Sequence, residues 1–546
     1  MAWNAERASK RIKSLMSSVP KPTVQNFDVF LEKRRKAHKW VDVASESTSI
    51  FRVRRGQAII VDAIHIYFSI QNLDEHRIES GVETERGHAR MLEFLHMHYS
   101  ACDRISEFGA VQRVDFHGGR MHAIVPALTD AGITSIEVAQ AFRFIDLYRE
   151  VAARAAEDLA EEGLQAKFRI GVDAGKCVAI DDGSADDSEP VFLGSAANQA
   201  AKLAEGDESG VHVSQRVRDI LNLGQAQNSA DGLSHISDMK VSEVANNRGY
   251  FSEANIQNGR SMPTADQVME AWADERTSQT ALGKTTNVSF SFYHAPPPLR
   301  EIKYSDLMPS KSIRMDLVSL FADIDGYTAF VESAISTGKV PEAVRALYVI
   351  RGELQNVLES DFGGRKVRFI GDCIHGVTAS GDHLKTNRGE SVRKGLQLAG
   401  GLESSFRLCK EALEGTEHLG LAIGMELGPT PITRLGIRGD RSVRVAASSA
   451  TSMSEQMQRG IESGVAVGPV AVRVAGPAIH DLIDAHGIGS NRTYNEVVMA
   501  FGQEEEGRHE PAYLNTPTIK RSTQAEEDYA PEPVTIRPAA GRAHFG

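Results

Sequence analysis

The chain has 546 residues and a formal net charge of −12. This length exceeds what one hydrophobic core usually serves, so two or three domains are expected. The composition, 41% apolar and 25% charged, is typical of a globular protein. The acidic balance argues against general nucleic-acid binding, which needs a basic face. No stretch approaches the apolar length of a membrane-spanning helix, so no membrane insertion is expected. Four scattered cysteines without CxxC spacing predict reduced thiols in a cytoplasmic protein.

Five segments follow one another along the chain. Residues 1–54 carry apolar side chains at helical spacing and predict a helical N-terminal arm. Two large segments, 55–255 and 313–502, predict folded domains. Residues 256–312 lie between them, include three consecutive prolines and predict a linker. Residues 503–546 are acidic and polar and predict a disordered tail.

The two large segments resemble each other in sequence. VDAIHIYFSI, which starts at residue 61, aligns with FADIDGYTAF at 321, and VDFHGGRMHAIV at 114 aligns with VRFIGDCIHGVT at 367. Three shorter matches follow in the same order, at offsets between about 250 and 260, which predicts a tandem repeat of one domain. Each copy alternates strands with helices, so we expect an α+β fold in which helices cover a sheet.

The stretch FADIDGYT in the second copy places carboxylates in a tight turn. Asp323 ends a predicted buried strand, and Asp372 lies in the turn of a predicted hairpin. If the two strands are neighbours in one sheet, both carboxylates meet at one edge, and the backbone carbonyl of Ile324 adds another oxygen. Such hard oxygen ligands suit Mg²⁺ or Mn²⁺ bound to phosphates. The alternative is that these acids are only helix caps and turn residues.

The turn after Asp323 leads directly into a predicted helix. Its residues Gly326, Tyr327 and Thr328 offer backbone amides at the start of that helix. Amides in this position bind phosphate oxygens, so we expect the turn to contact a phosphorylated substrate.

The motif FADIDGYT followed by FIGD resembles the metal motif of the class III nucleotidyl cyclases. IGVDAG and FLGSAANQAAKL resemble two further motifs of that family. The resemblance covers both copies and implies two cyclase-like domains, each with a mostly antiparallel sheet flanked by helices, packed head to tail within one chain. It also implies an enzyme that converts a nucleoside triphosphate to a 3′,5′-cyclic monophosphate and pyrophosphate, with two Mn²⁺ or Mg²⁺ ions per active site.

In that family, one domain supplies two metal-binding aspartates and its partner domain supplies the substrate contacts. The second copy keeps both aspartates, Asp323 and Asp372. By the alignment above, the first copy has Ala63 and Gly119 at these positions, which bind no metal. The resemblance therefore implies that the second copy is the metal-binding one.

The substrate-contacting positions show the opposite loss. The first copy has Asn198, which the resemblance assigns to the ribose, and Lys202 in place of the family's arginine, which stabilises charge on the α-phosphate. The second copy is expected to have Ser448 and Ser452 there. Lys240, interpreted as part of a late strand, is placed at the terminal phosphates. Each copy has lost what the other kept, so we expect one composite active site and one degenerate site.

The base-reading positions of the family do not follow the purine pattern. They correspond to Asp115, an acceptor that favours guanine, uracil or cytosine, and to Val191, unlike any family residue at that position. Arg368, the equivalent of Asp115 in the second copy, is expected outside the composite site. This departure is similar to the bacterial pyrimidine cyclases of antiphage defence. It implies UTP as the preferred substrate and cUMP as a product that a separate effector reads.

Two alternatives remain open at this stage. The chain is either an adenylate or guanylate cyclase with altered base contacts, or a catalytically inactive module that binds a nucleotide. Neither the activating trigger nor further association of two chains follows from the sequence.

Overall fold

The computed structural model describes residues 2–19, 21–37, 53, 56–108, 111–127, 132–158, 165–181, 190–225, 235–247, 262–280, 289–436 and 442–507. Residues up to 280 form α1 (Ala5–Ser18), β1 (Thr23–Asn26), α2 (Phe27–Ala37), β2 (Gln57–Ile70), α3 (Leu73–Arg77), β3 (Ile78–Glu79), β4 (Val82–Glu83), α4 (Glu85–Phe108), β5 (Gln112–His117), β6 (Arg120–Pro126), α5 (Ser135–Asp158), β7 (Phe168–Asp181), β8 (Pro190–Leu193), α6 (Ser195–Leu203), β9 (Gly210–Val213), α7 (Gln215–Ile220), β10 (His235–Ile236), α8 (Asp238–Ala245) and α9 (Ala265–Thr280).

The later residues form β11 (Phe292–Tyr293), β12 (Ser312–Asp325), α10 (Tyr327–Thr337), α11 (Val340–Asn356), β13 (Arg365–Ile370), β14 (Cys373–Thr378), α12 (Arg388–Ala412), β15 (Gly420–Leu435), β16 (Val443–Ala446), α13 (Ser449–Arg459), β17 (Gly464–Val467), α14 (Pro469–Ala475), β18 (Ile488–Gly489) and α15 (Tyr494–Gly507). A π-helical turn, Val357–Asp361, extends α11, and three short 3₁₀ turns span Leu299–Glu301, Tyr304–Asp306 and Pro477–Asp481.

Two eight-stranded sheets have the same strand order. The first runs β5-β6-β2-β7-β9-β10 and the second β13-β14-β12-β15-β17-β18, with one further strand beside each of the two long strands. Most neighbours are antiparallel, but β7 with β9 and β15 with β17 are parallel. The internal repeat and the α+β class are therefore confirmed.

The pairing corrects the alignment of the first long strand. Phe68 in β2 and Ala322 in β12 occupy equivalent places in their sheets. Each pairs on one side with a hairpin strand and on the other side with the next long strand, and the paired residues of the two copies are equivalent. The next residues, Ser69 and Asp323, are therefore equivalent. The expected equivalence of Asp323 with Ala63 is wrong, although the conclusion that the first copy lacks this aspartate holds.

Each copy contributes apolar side chains to the core of the other. Leu435 and Val443, from the β15–β16 extension, are buried in the core beneath the first sheet. In return, Val178 and Ile180 of β7 are buried in the core of the second copy. Because apolar burial is the main favourable term in folding, this exchange fixes the two copies as one head-to-tail pair.

The segments outside the repeat pack onto it. Helix α1 lies on α11 and α12 of the second copy, whereas β1 pairs in parallel with β2, so the N-terminal arm contains a strand as well as helices. In the predicted linker, α9 packs on α5, and β11 pairs with β12. The exact domain boundaries stay a prediction.

The chain's C-terminal part is described only in its first residues. Helix α15 packs on α12 and continues to Gly507, past the predicted start of the tail. The predicted disorder of the remaining tail falls on 508–546, outside the described residues. All four cysteines are buried free thiols, as expected. Within the described ranges, every helix is too short or too polar to cross a membrane.

Candidate active site

The strand β12 ends in the turn that the sequence singles out. Its apolar residues are buried along the sheet, and Gly326 follows in a left-handed conformation with φ +79°, which glycine adopts without strain. Helix α10 begins at the next residue. The side chain of Tyr327 is buried, and its hydroxyl donates to the carbonyl of Ala343 at 2.9 Å. Only the backbone of Tyr327 therefore remains for a phosphate.

The hairpin brings the second carboxylate to the same edge of the sheet. Strands β13 and β14 are joined by Gly371 and Asp372, and Gly371 has φ +58°. Because β14 pairs antiparallel with β12, the turn lies beside the end of β12. The expected convergence of Asp323 and Asp372 is thus present in the structure. Ile324 lies between Asp323 and Asp325 at the end of β12. Its side chain is buried, and its backbone amide donates to the carboxylate of Asp323.

The two carboxylates are electrostatically coupled. Burial raises the pKa of Asp323 to about 6, and the charge of Asp325 adds to this rise. Burial and the charge of Asp323 also raise the pKa of Asp372 well above its ordinary value, which the charge of Arg351 partly opposes. Two acids that hinder each other's ionisation are stabilised by a shared cation. The pair therefore fits a divalent metal.

The ligand count also fits an ion that binds together with its substrate. The described ranges contain no group of three or more His, Cys, Asp or Glu side chains that could hold a metal. Mg²⁺ typically takes one or two carboxylates and completes its shell with water and substrate phosphates. The two carboxylates of Asp323 and Asp372 match that pattern.

The first copy reaches this turn through helix α6. The side-chain amide of Asn198 donates to the hydroxyl of Thr328, which lies in the first turn of α10. Lys202 lies one helical turn further along α6, on the same face as Asn198. Residues from two different motifs and from both copies therefore meet at one place, as the composite site requires.

The equivalents of these residues in the second copy differ from those expected. Gly171 packs against Ala200 of α6, and the equivalent Gly424 packs against Ser454 of α13. This register makes Ser452 the equivalent of Asn198 and Gln456 that of Lys202. The expected pair, Ser448 and Ser452, is wrong, but the second copy still has no amide at the position of Asn198 and no cation at the position of Lys202.

The degenerate site is occupied by protein side chains. Ser452 accepts a hydrogen bond from Arg77 at 3.1 Å, and the backbone amide of Ser449 donates to Glu83 at 2.6 Å. Glu83 also lies 3.3 Å from the ring of His88. Polar contacts between the copies thus fill the region that is equivalent to the expected composite site.

The base-reading position is paired across the two copies. The carboxylate of Asp115 forms an ion pair with Arg368, and both side chains are largely buried. The equivalent positions of the two hairpins thus face each other. The expectation that Arg368 lies outside the composite site stays a prediction. Val191 is 8% exposed in β8 and packs in the core of the second copy, so it is a core residue.

Lys240 does not lie in a strand. It belongs to the short helix α8, where Ser237 caps the first turn by accepting from the backbone amide of Lys240. Its ammonium donates to Glu243 of the same helix at 2.9 Å. Helix α8 packs on α5 and β9. The strand assignment is wrong, and these contacts do not bring Lys240 to Asp323 or Asn198.

Two arginines near the carboxylates are not predicted from the sequence. Arg351 of α11 donates to the carbonyl of Gly371 in the hairpin turn. Arg459, at the end of α13, bonds to Glu205 of the first copy at 2.8 Å, and its charge partly opposes the rise in the pKa of Asp323 that burial causes. A single arginine on a helix carries no spacing signal, so only the folded chain places these residues.

Comparisons with known proteins agree with this geometry. Residues 61–251 match the adenylate and guanylate cyclase catalytic domain. A protein named uridylate cyclase from a Rhizobium species is 38% identical over 97% of this chain and 99% of its own length. A second uridylate cyclase, from Pseudomonas aeruginosa, is 33% identical over 96% of this chain and 97% of its own length.

A solved structure shows the same arrangement over nearly the whole chain. It is a class III adenylyl cyclase-like ATP-binding protein from Pseudomonas aeruginosa, 33% identical, with a TM-score of 0.78 over 92% of this chain and 100% of that one. With two full-length relatives above 30% identity, the protein belongs to the class III nucleotide cyclases and is a phosphorus–oxygen lyase.

Proposed function

We propose that this cyclase converts UTP to 3′,5′-cyclic UMP and pyrophosphate at a single site shared by its two copies. The observation that carries the proposal is the contact between Asn198 of the first copy and Thr328 of the second. This contact places a substrate-orienting amide beside the turn that follows Asp323.

The second copy holds the metal ions in this proposal. The carboxylates of Asp323 and Asp372 and the carbonyl of Ile324 supply the protein ligands for two Mn²⁺ or Mg²⁺ ions. When bound, such ions lower the pKa of the attacking hydroxyl and neutralise the leaving phosphates. A bound divalent cation would also stabilise the ionised form of both aspartates, whose pKa values are raised by burial and by neighbouring carboxylates.

The remaining residues orient the substrate. The amides of Gly326, Tyr327 and Thr328 bind phosphate oxygens, and Asn198 fixes the ribose. The ribose 3′ oxygen attacks the α-phosphorus and forms the new P–O bond, while the bond from that phosphorus to pyrophosphate breaks and the hydroxyl proton leaves to solvent. Lys202 stabilises the negative charge that develops on the α-phosphate.

The base contact favours a pyrimidine. The Asp115–Arg368 pair presents an acceptor beside several donors. The uracil edge carries N3–H between two carbonyl oxygens, so it matches such a pair. The names of the two full-length relatives support UTP. The similar solved structure is described as ATP-binding, which makes ATP the first competitor to test.

A product assay tests the proposal. The purified chain is incubated with Mn²⁺ and each of the four ribonucleoside triphosphates, and the products are separated by chromatography. We expect cUMP and pyrophosphate from UTP as the main products. Predominant cAMP or cGMP would assign the chain to the purine cyclases, and absence of all cyclic products would indicate an inactive binding module.

We further propose that the product is a cytoplasmic signal in bacterial antiphage defence, read by a separate effector protein. This step rests on the resemblance to pyrimidine cyclases with that role. Cells carrying the chain with its neighbouring genes are challenged with phage, and D372A is the control. Protection that is equal for both forms would contradict a signalling role for the cyclic nucleotide.

A further inference from the structure

We propose that Arg351 is a positioning residue for the metal site, which holds the hairpin turn so that Asp372 stays beside Asp323. The proposal rests on the proposed metal-binding role of these aspartates. Arg351 lies in the last part of α11, and only 2% of its surface is exposed.

Arg351 is fixed against the hairpin by two contacts. Its guanidinium donates to the carbonyl of Gly371, the residue immediately before Asp372. It also lies over the ring of Phe369, 4.3 Å from the ring centroid, two residues further back in β13. A planar, permanently charged group held in this way determines the orientation of the turn.

The turn depends on such support because no other part of the chain within the described ranges packs against it at the Cβ position of Gly371. Gly371 has φ +58° and no neighbouring atom within 4 Å of where a Cβ would lie. The packing around that position therefore leaves the turn open, and the hydrogen bond to its carbonyl comes from Arg351. Loss of this bond would allow Asp372 to move relative to Asp323, which lies on a rigid strand.

The first copy provides an internal comparison. Its equivalent turn residue is Gly118, whose carbonyl accepts from the hydroxyl of Tyr99 on α4 at 2.5 Å. That turn has Gly119 where the second copy has Asp372. Both turn carbonyls thus accept a hydrogen bond from a side chain on the equivalent helix. In the copy that keeps the aspartate, the donor is a charged arginine.

Binding of Mn²⁺ to the full chain without nucleotide tests the inference. The free ion is measured by electron paramagnetic resonance for the wild type, R351Q, R351K and Y99F. We expect R351Q to raise the dissociation constant for Mn²⁺ about 10–100-fold, as for other residues that orient metal ligands. R351K should show a smaller rise, because lysine keeps the charge but loses the planar fork. Y99F should bind like the wild type.

Kinetics separate positioning from a general loss of structure. At saturating Mn²⁺, the KM of R351Q for UTP should stay within about twofold of the wild type, while the Mn²⁺ concentration needed for half-maximal rate rises in parallel with the dissociation constant. If R351Q does not fold, R351K carries the test. The inference would be overturned if R351K and R351Q both bind Mn²⁺ as tightly as the wild type does. It would also be overturned if Y99F weakens Mn²⁺ binding as much as R351Q does. If the wild type binds Mn²⁺ only together with UTP, the Mn²⁺ concentration needed for half-maximal rate carries the test. A wild type that cyclises UTP without any divalent ion would instead contradict the proposed function.

Discussion

The hydrogen-bonding groups available at Asp115 depend on the residue beside it in the folded chain. The sequence indicates only an acceptor at the base-reading position, which suits three of the four bases. In the folded chain, Arg368 pairs with it and adds donors at the same place. In the proposed function, the combined pair rather than the acid alone is therefore the group that contacts the base.

This pairing leads to a prediction about substrate choice. D115N keeps the size of the side chain but replaces the charged acceptor, so the uracil N3–H loses its partner and Arg368 loses its counter-charge. We expect kcat/KM for UTP to fall about 10–100-fold, the cost of an unmatched buried polar group. The measurement is steady-state cyclisation of UTP and ATP by wild type and variant. An unchanged UTP:ATP ratio would show that Asp115 does not read the base.

Some residues can be predicted from the sequence and others cannot, for a physical reason. Asp323, Asp372 and Asn198 lie in motifs whose spacing reflects strands and turns, so local sequence locates them. Arg351 and Arg459 act through contacts made by distant parts of the chain. Such contacts leave no periodicity in the sequence.

At the scale of elements, helix α1 is tied to the second copy by buried charges. Arg11 lies 2.6 Å from Glu353 and 2.9 Å from Asp361, whose side chains are 0% and 1% exposed. Because both acids are removed from water, they need charged partners: Arg11 pairs with both, and Asp361 also pairs with Arg7 at 2.8 Å. The predicted amphipathic N-terminal helix therefore has a specific docking place rather than a free surface role.

Removing that arginine should destabilise the protein. R11A takes a charged partner away from two buried carboxylates, which costs about 3–5 kcal/mol for a broken buried pair. K10A is the matched control, since Lys10 pairs with Glu6 on the exposed face of the same helix and such pairs contribute about 0–1 kcal/mol. Urea denaturation followed by circular dichroism measures both. Equal midpoints for the two variants would contradict the docking role of Arg11.

Buried histidines give the fold a dependence on pH. Burial lowers the pKa of both His65 and His98 to about 3, whereas an unfolded histidine has a pKa of about 6.5. Below that value the unfolded chain binds protons that the folded chain does not. The stability contribution of neutral histidine is thus fully present above pH of about 6.5 and is lost as pH falls toward 3.

We expect the free energy of unfolding, measured by urea denaturation, to fall between pH 7.5 and 5.5, by up to about 1.4 kcal/mol per pH unit for each histidine below its unfolded pKa. H98Q removes one titrating group while keeping a polar partner for Tyr148, which lies 2.9 Å from the ring of His98. The variant should therefore show a flatter profile over the same range. A profile as steep as that of the wild type would contradict this account.

The element boundaries show where sequence patterns are ambiguous. The hairpin β13–β14 turns at Asp372 as predicted, because its turn residues mark it. The sequence alignment places β2 six residues away from its true register, since its apolar run is buried on both faces and gives no alternation to fix it. The strand expected at Lys240 is a helix, which the capping serine before it marks only weakly.

At the scale of the whole molecule, each copy depends on the other to complete its hydrophobic core. Each sheet extension completes the core of the other copy, and polar contacts fill the degenerate site. The composite site keeps the groups that the degenerate site has lost. This asymmetry is predictable from the sequence, because it depends on which residue types survive in each copy. The mutual completion of the cores is not, since it requires contacts between distant strands.

The central claim is that one active site takes its metal ligands from the second copy and its substrate contacts from the first. Cyclisation of UTP by paired variants at equivalent positions tests it most directly: D323A against S69A, and N198A against S452A. The account predicts that D323A and N198A each lose about 100-fold or more of kcat, as expected when a group acting in the transition state is removed. S69A and S452A should keep rates close to the wild type. Full activity in D323A or N198A, or an equal loss in their partners, would contradict a single shared site.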